Sequence, residues 1–217
     1  MKKFLIFMLL SLSLFAISDE KKEKVLNDFN AFKKNYSERK AEETVNYFTP
    51  GSVKFYDDLL KIAISNGKAG DKIGFLESMV VMNIQNKLSA EEMKKMTGKD
   101  VIMWSINEGV DSFESFNILP ILDIYDKDEC AYVVVGYEKE SMPVKLEESE
   151  GVWKVDLPYL YDVINKSFEK LFGAEGLDKN LFSENMMDDS NGNIDYYEFD
   201  EQGFGNKQAP RTKKSYY

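Results

Sequence analysis

The 217-residue sequence contains no histidine. That absence removes Ser-His-Asp and Cys-His catalysis, together with every zinc site that uses an imidazole ligand. There is a single cysteine, Cys130. A disulfide within the chain is therefore impossible, and cysteine-rich metal sites are excluded as well. Cys130 opens the apolar run Cys130-Ala131-Tyr132-Val133-Val134-Val135-Gly136-Tyr137, where it reads as a small buried hydrophobe. Any chemistry is left to carboxylates, lysine, tyrosine, hydroxyls or a hard cation on oxygen ligands. Basic residues are also scarce, 28 Lys and Arg against 38 Asp and Glu, a net charge of −10. The balance argues against nucleic acid, whose phosphates need a basic face, and against an anionic membrane surface. Cationic partners or simple solubility fit it better.

What is present begins with a leader. Lys2 and Lys3 supply a positive start, and Phe4 to Phe15 is an uncharged apolar run. Ala16-Ile17-Ser18 then places small residues at −3 and −1 of a cleavage before Asp19. The run is short for an anchor, since spanning needs roughly 20 apolar residues. The chain is thus expected to be exported, to a periplasm or beyond, with residues 1–18 as a signal peptide. No later segment could span a membrane. Cleavage removes two lysines and no acid, so the mature chain is more acidic still.

Along residues 19–173 the pattern changes once. Val25, Phe29, Phe32 and Tyr36 form one helical stripe, and Ala41, Val45 and Phe48 repeat it. Thr49-Pro50-Gly51-Ser52 is a stop-and-start signal. Tyr56, Leu59, Leu60 and Ala63 mark a third helix, ending near Asn66-Gly67. Ile73, Leu76, Val80 and Ile84 mark a fourth. Ser89-Ala90-Glu91-Glu92 is a capping box opening a short helix that ends at Gly98. A further turn or two, Asp100 to Glu108, ends at Gly109. Four runs rich in β-branched and aromatic residues follow: 116–124, 130–137, 142–147 and 152–157. The short polar turns between them predict an antiparallel meander. A last helix opens at Pro158, with Leu160, Ile164, Phe168, Leu171 and Phe172 on its apolar side. Helices followed by a meander give an α+β fold with the helices on one sheet face. Residues 174–217 form a polar tail, acidic to Glu201 and basic from Lys207, with low ordering propensity.

Three stretches carry a family resemblance. They are Val53-Lys54-Phe55-Tyr56-Asp57-Asp58-Leu59-Leu60, Met96-Thr97-Gly98-Lys99-Asp100 leading to Glu108-Gly109-Val110, and Glu150-Gly151-Val152-Trp153-Lys154-Val155-Asp156-Leu157. Through them, about half the chain resembles uncharacterised exported bacterial proteins of the NTF2-like superfamily. The resemblance implies a cone, with N-terminal helices packed on a strongly curved antiparallel sheet and a cavity at the open end. It implies no activity, because that superfamily hosts enzymes, ligand binders and assembly modules.

Several constellations bear on chemistry. Residues 188–199 look like the calcium loop of an EF-hand. With Gly192 at the sixth position, Asp189, Asn191, Asp195 and Glu198 fall at the third, fifth, ninth and twelfth. Met187 takes the first position, where an aspartate belongs, and Gly203, Gly205 and Pro210 follow where an exiting helix is needed. The competing reading is an acidic Asn/Gly turn. Tyr56, Asp57 and Asp58 could support proton transfer in an apolar cavity, where burial raises a carboxyl pKa. Against this stands an amphipathic helix with Tyr56 inward and the aspartates wet. Trp104 and Trp153 suit a pocket or a core. Met79, Met82, Met93 and Met96 suit an adaptable surface or core filling. The expectation is a non-catalytic binding or protein-interaction module for an unknown protein or a small apolar ligand. The alternatives are a carboxylate-dependent enzyme acting on an apolar substrate in the cavity, and a weak calcium-binding surface protein. No cofactor beyond weak Ca2+ is implied.

Overall fold

The computed structural model describes residues 17–65, 73–110, 118–137 and 140–175. Helix α1 spans Asp19–Ser37, and α2 covers Ala41–Thr44 and runs into a single 3-10 turn, Val45–Tyr47. Helix α3 is Pro50–Ile64, α4 is Phe75–Lys87, α5 is Ala90–Met93 and α6 is Gly98–Glu108. Strands β1 (Ile121–Lys127), β2 (Cys130–Tyr137), β3 (Glu140–Ser149) and β4 (Val152–Val155) follow, and α7 closes the series at Leu157–Glu175. The class is α+β: N-terminal helices packed on a four-stranded antiparallel sheet in the order β1-β2-β3-β4, then a C-terminal helix.

The helical stripes become the core. Val25, Phe29, Phe32 and Tyr36 of α1 are all buried, as are Tyr56, Leu59, Leu60 and Ala63 of α3. On the sheet, period-two alternation puts Ile124, Ala131, Val133, Val135, Val144, Leu146, Trp153 and Val155 on the packed face. The opposite face carries Tyr125, Tyr132, Lys145, Glu147 and Lys154.

Turn chemistry sets the register. Asp128 and Glu129 both adopt positive φ, 52° and 67°, which makes a two-residue type I′ hairpin between Lys127 and Cys130. Glu150 and Gly151, at 56° and 74°, do the same between β3 and β4. Near the start of β1, Ile121 faces Val135 while Asp123 faces Val134, so Leu122 is an inserted bulge residue.

Several boundaries differ from the sequence reading. The first strand was expected over 116–124 but begins at Ile121 and runs through Asp126 and Lys127. The I′ turn needs two residues only, so those polar residues extend the strand. Gly98 does not end a helix. It is the first residue of α6, behind the capping box of Thr97 and Asp100, and α5 stops at Met93. Helix α6 therefore has three turns, ended by Gly109 in the left-handed region. Asp156 and Leu157 leave the last strand to cap and start α7.

The two sheet edges are finished differently. The outer edge of β4 is covered: Asp28 accepts from the Trp153 amide at 2.9 Å, the Thr49 amide donates to the Val155 carbonyl at 3.1 Å, and Phe48 bridges Val155 in parallel. On β1, no described strand pairs with the outer edge.

Candidate functional site

The three family-like stretches meet around the N-terminal half of α3. Thr49 caps that helix by accepting from the Ser52 amide at 3.1 Å. Ser52 Oγ lies 2.9 Å from Thr49 Oγ1, donates to the Val155 carbonyl at 3.1 Å and accepts from the Leu157 amide at 2.9 Å. A hydroxyl has one proton and two lone pairs, so Thr49 must be the donor in the pair with Ser52, and every group is then satisfied. Both side chains are buried. Two turns on, Asp57 accepts a hydrogen bond from the Gly98 amide at the start of α6. A β-carbon on Gly98 would collide with the Val53 carbonyl oxygen and the Asp57 amide. The glycine permits the closest approach of α3 to α6. These motifs are explained by packing, with no reacting group among them.

Tyr56, Asp57 and Asp58 do not converge. The Tyr56 hydroxyl is buried 2.9 Å from that of Tyr161 on α7. Asp57 holds Gly98. Asp58 lies outside, 2.7 Å from Lys54 and 2.8 Å from Lys61, and hydrogen bonds from the two ammonium groups pull its carboxyl down to about 2. Desolvation works the other way but is outweighed, so the raised carboxyl that proton transfer in a cavity would require is not found here.

The tryptophans, Met93 and Met96 belong to the core, whereas Met79 and Met82 are only half-buried on α4. Trp153 is 2% exposed, with Lys21 Nζ 5.1 Å from its ring centroid and its Nε1 unpartnered among the described residues. Trp104 and Met96 pack against the core, and Met93 is buried in it. Asp189, Asn191, Asp195 and Glu198 lie outside the described residues. Within the described residues no group of three or more acidic or cysteine side chains is placed to hold a metal ion. Also among them, no helix is long and apolar enough to cross a membrane.

The outer sheet face holds a cluster that sequence reasoning missed. The I′ hairpin sets Tyr125 opposite Tyr132, and their rings stack at 5.1 Å with planes 6° apart. Tyr159, in the first turn of α7, meets Tyr132 edge-on at 5.7 Å. Asp156 places Tyr159: its Oδ1 accepts from the Tyr159 amide at 3.2 Å, which caps α7. The other oxygen of Asp156 lies 2.9 Å from Lys145 Nζ, which also reaches Glu147 at 2.6 Å. Burial works to lower the Lys145 pKa, but the two carboxylates outweigh it and hold the ammonium above its ordinary value. Burial pushes the Tyr125 and Tyr132 phenols up, and the Asp123 carboxylate adds to it at Tyr125. Burial pushes the Cys130 thiol up too, so it is no activated nucleophile. Four groups that could react are thus all held in their unreactive protonated forms. The legible signal for this cluster was the alternation that leaves 125 and 132 on the wet face. The missing piece was the register.

Large apolar side chains are exposed along the same hairpin. Among the described residues these are Ile64, Ile118, Leu122, Tyr125 and Tyr137, and all but Ile64 lie on β1, on β2 or just before β1. Comparison with protein-family profiles, with curated proteins and with solved structures finds no match for this chain.

Proposed function

We propose that this is an exported, non-catalytic binding or interaction module of the NTF2-like kind, with the β1–β2 hairpin as its contact surface. The observation that carries the reading is that Ile118, Leu122, Tyr125 and Tyr137, four of the five exposed large apolar side chains among the described residues, lie on or beside that hairpin. Exposed apolar side chains concentrated on one element mark interaction surfaces more often than singly scattered ones do. The spent carboxylates support the non-catalytic part. Asp28, Asp57 and Asp156 reach into the packed structure, and each holds a backbone amide. The NTF2-like part is supported by the order of helices, meander and helix, and by the meeting of the three family-like stretches around α3. Its partner is a protein or a small apolar ligand.

Native mass spectrometry tests this on protein purified from its own host, beside a denatured spectrum of the same sample. The expected result is a retained mass that denaturation removes and that Tyr132→Ser loses. A bare protein, or a retained mass indifferent to that substitution, overturns the placement.

A further inference from the structure

We infer that the β1 edge pairs with the β1 edge of a second copy, antiparallel and about a two-fold axis through Tyr125. This deepens the binding-module reading and rests on it. In a two-residue I′ hairpin the closing residues, here Lys127 and Cys130, exchange their backbone hydrogen bonds. Alternation then turns the amides and carbonyls of Lys127, Tyr125 and Asp123 toward β2. Those of Ile124 and Asp126 point away from the sheet, where no described strand receives them. The Ile124 amide shows the consequence: it is held by the side chain of Asp123, at 2.8 Å. A carboxylate has been folded back to occupy an open donor of the edge.

The side chains on this edge are self-complementary. Antiparallel pairing centred on Tyr125 sets residue 125 opposite itself, 123 opposite 127, and 124 opposite 126. Asp123 of each copy then faces Lys127 of the other, on the same sheet face as the two tyrosines. Both charged side chains are exposed, and neither has an ion pair among the described residues. Opposite charges and paired aromatics directly across a ladder are the favourable cross-strand combinations. The backbone agrees independently. Residues 124 and 126, whose polar groups point outward, become the hydrogen-bonded pairs, and 125 sits at the close, non-bonded position on the axis. The stack of Tyr132 on Tyr125 continues into Tyr125 of the second copy, in the isologous arrangement that a two-fold axis requires. Asp123 exchanges the Ile124 amide for Lys127 of the second copy, and the amide passes to the Asp126 carbonyl of that copy. The separate chain is thereby kept satisfied, and the pair is reversible.

Sedimentation velocity across a concentration series tests this on the full chain, with its own leader processed by its own host. The wild type is expected to show a monomer–dimer equilibrium. Asp123→Lys and Lys127→Asp are each expected to weaken it roughly tenfold, since each makes two like-charge pairs. The double swap, Asp123→Lys with Lys127→Asp, restores opposite charges in both pairs and is expected to return most of the affinity. Both sites are exposed, and circular dichroism controls for folding. A wild type that stays monomeric, a dimer indifferent to the single changes, or a double swap no better than the singles overturns the inference. A monomer that still carries a foreign mass in the native spectrum overturns the pairing alone and leaves the binding-module reading standing.

Discussion

Ser52 does more than any other small residue described here. One hydroxyl joins the start of α3, the end of β4 and the start of α7, with no water needed to complete it. Replacing it with alanine leaves the Leu157 amide and the Thr49 hydroxyl without their buried partner. The expected loss is about 2 kcal/mol, the ordinary cost of orphaned buried polar groups, read from urea denaturation. Gly98→Ala is expected to cost about 3 kcal/mol in the same measurement, because its new methyl meets backbone and not a side chain that can swing away. Neither role was visible in the sequence. That Thr49 or Ser52 caps a helix was legible, since caps act within one turn, and Thr49 is the one that does. The reach of Ser52 to Val155 and Leu157 crosses about a hundred residues of chain, and nothing local announces it. Gly98 was read as a helix end because glycine is commonest there. Its purpose is instead the space it leaves for α3.

At the scale of elements, periodic patterns were legible and registers were not. The stripe of Val25, Phe29, Phe32 and Tyr36 fixed α1, and the strand at Cys130–Tyr137 lay where its apolar run placed it. The β1 boundary shifted because Asp128 and Glu129 make a turn that usually asks for Asn-Gly, so composition gave no sign of it. The tyrosine cluster followed that shift, since only the true register sets Tyr125 against Tyr132. Helix α4 illustrates another non-local debt. It has no cap of its own; Asn165 of α7 accepts from the Leu76 amide at 3.0 Å and binds Glu77 at 2.7 Å. Asn165→Ala is expected to cost about 1 kcal/mol and to speed amide exchange in the first turn of α4 ahead of the rest of the helix. Helix α1 raises the same question at its start. Ser18 caps it by accepting from the Lys21 amide at 3.2 Å, and Ile17 packs against the core. A chain beginning at Asp19 loses both and puts an ammonium at the positive end of the helix. It is expected to be about 1 kcal/mol less stable than one beginning at Ile17, by thermal unfolding.

At the scale of the molecule, the missing histidine returns as a pH profile. No side chain of ordinary pKa titrates between roughly pH 5.5 and 8 in a chain without imidazole, so no side-chain step in stability is expected there. The acid limb has a definite sign. Hydrogen bonds from the side chain and amide of Ser89 hold Glu92 below its usual range, and those from Thr97 do the same for Asp100. Asp58 is pulled to about 2 by its two lysines. Each folded value lies below the unfolded one, so these groups stabilise fully above the unfolded values, near pH 4. That contribution is lost as pH falls through the folded values. The urea midpoint is therefore expected to hold to about pH 5 and fall toward pH 2, and Asp100→Asn is expected to shallow that fall. A second step near neutrality would contradict the profile.

The finished edge of β4 has a consequence for growth. Among the described residues, the outer edge of β4 is occupied and that of β1 is not, so of the two terminal strands β1 is the one that can receive another. The first strand to dock on β1, whether from a like molecule or another, occupies that terminal edge. If that strand belongs to another copy of the chain, the far side of the enlarged sheet is again a β4 edge, already closed by Asp28, Thr49 and Phe48. Strand addition at the terminal edges is thus expected to stop after one step, which favours stoichiometric complexes over fibres.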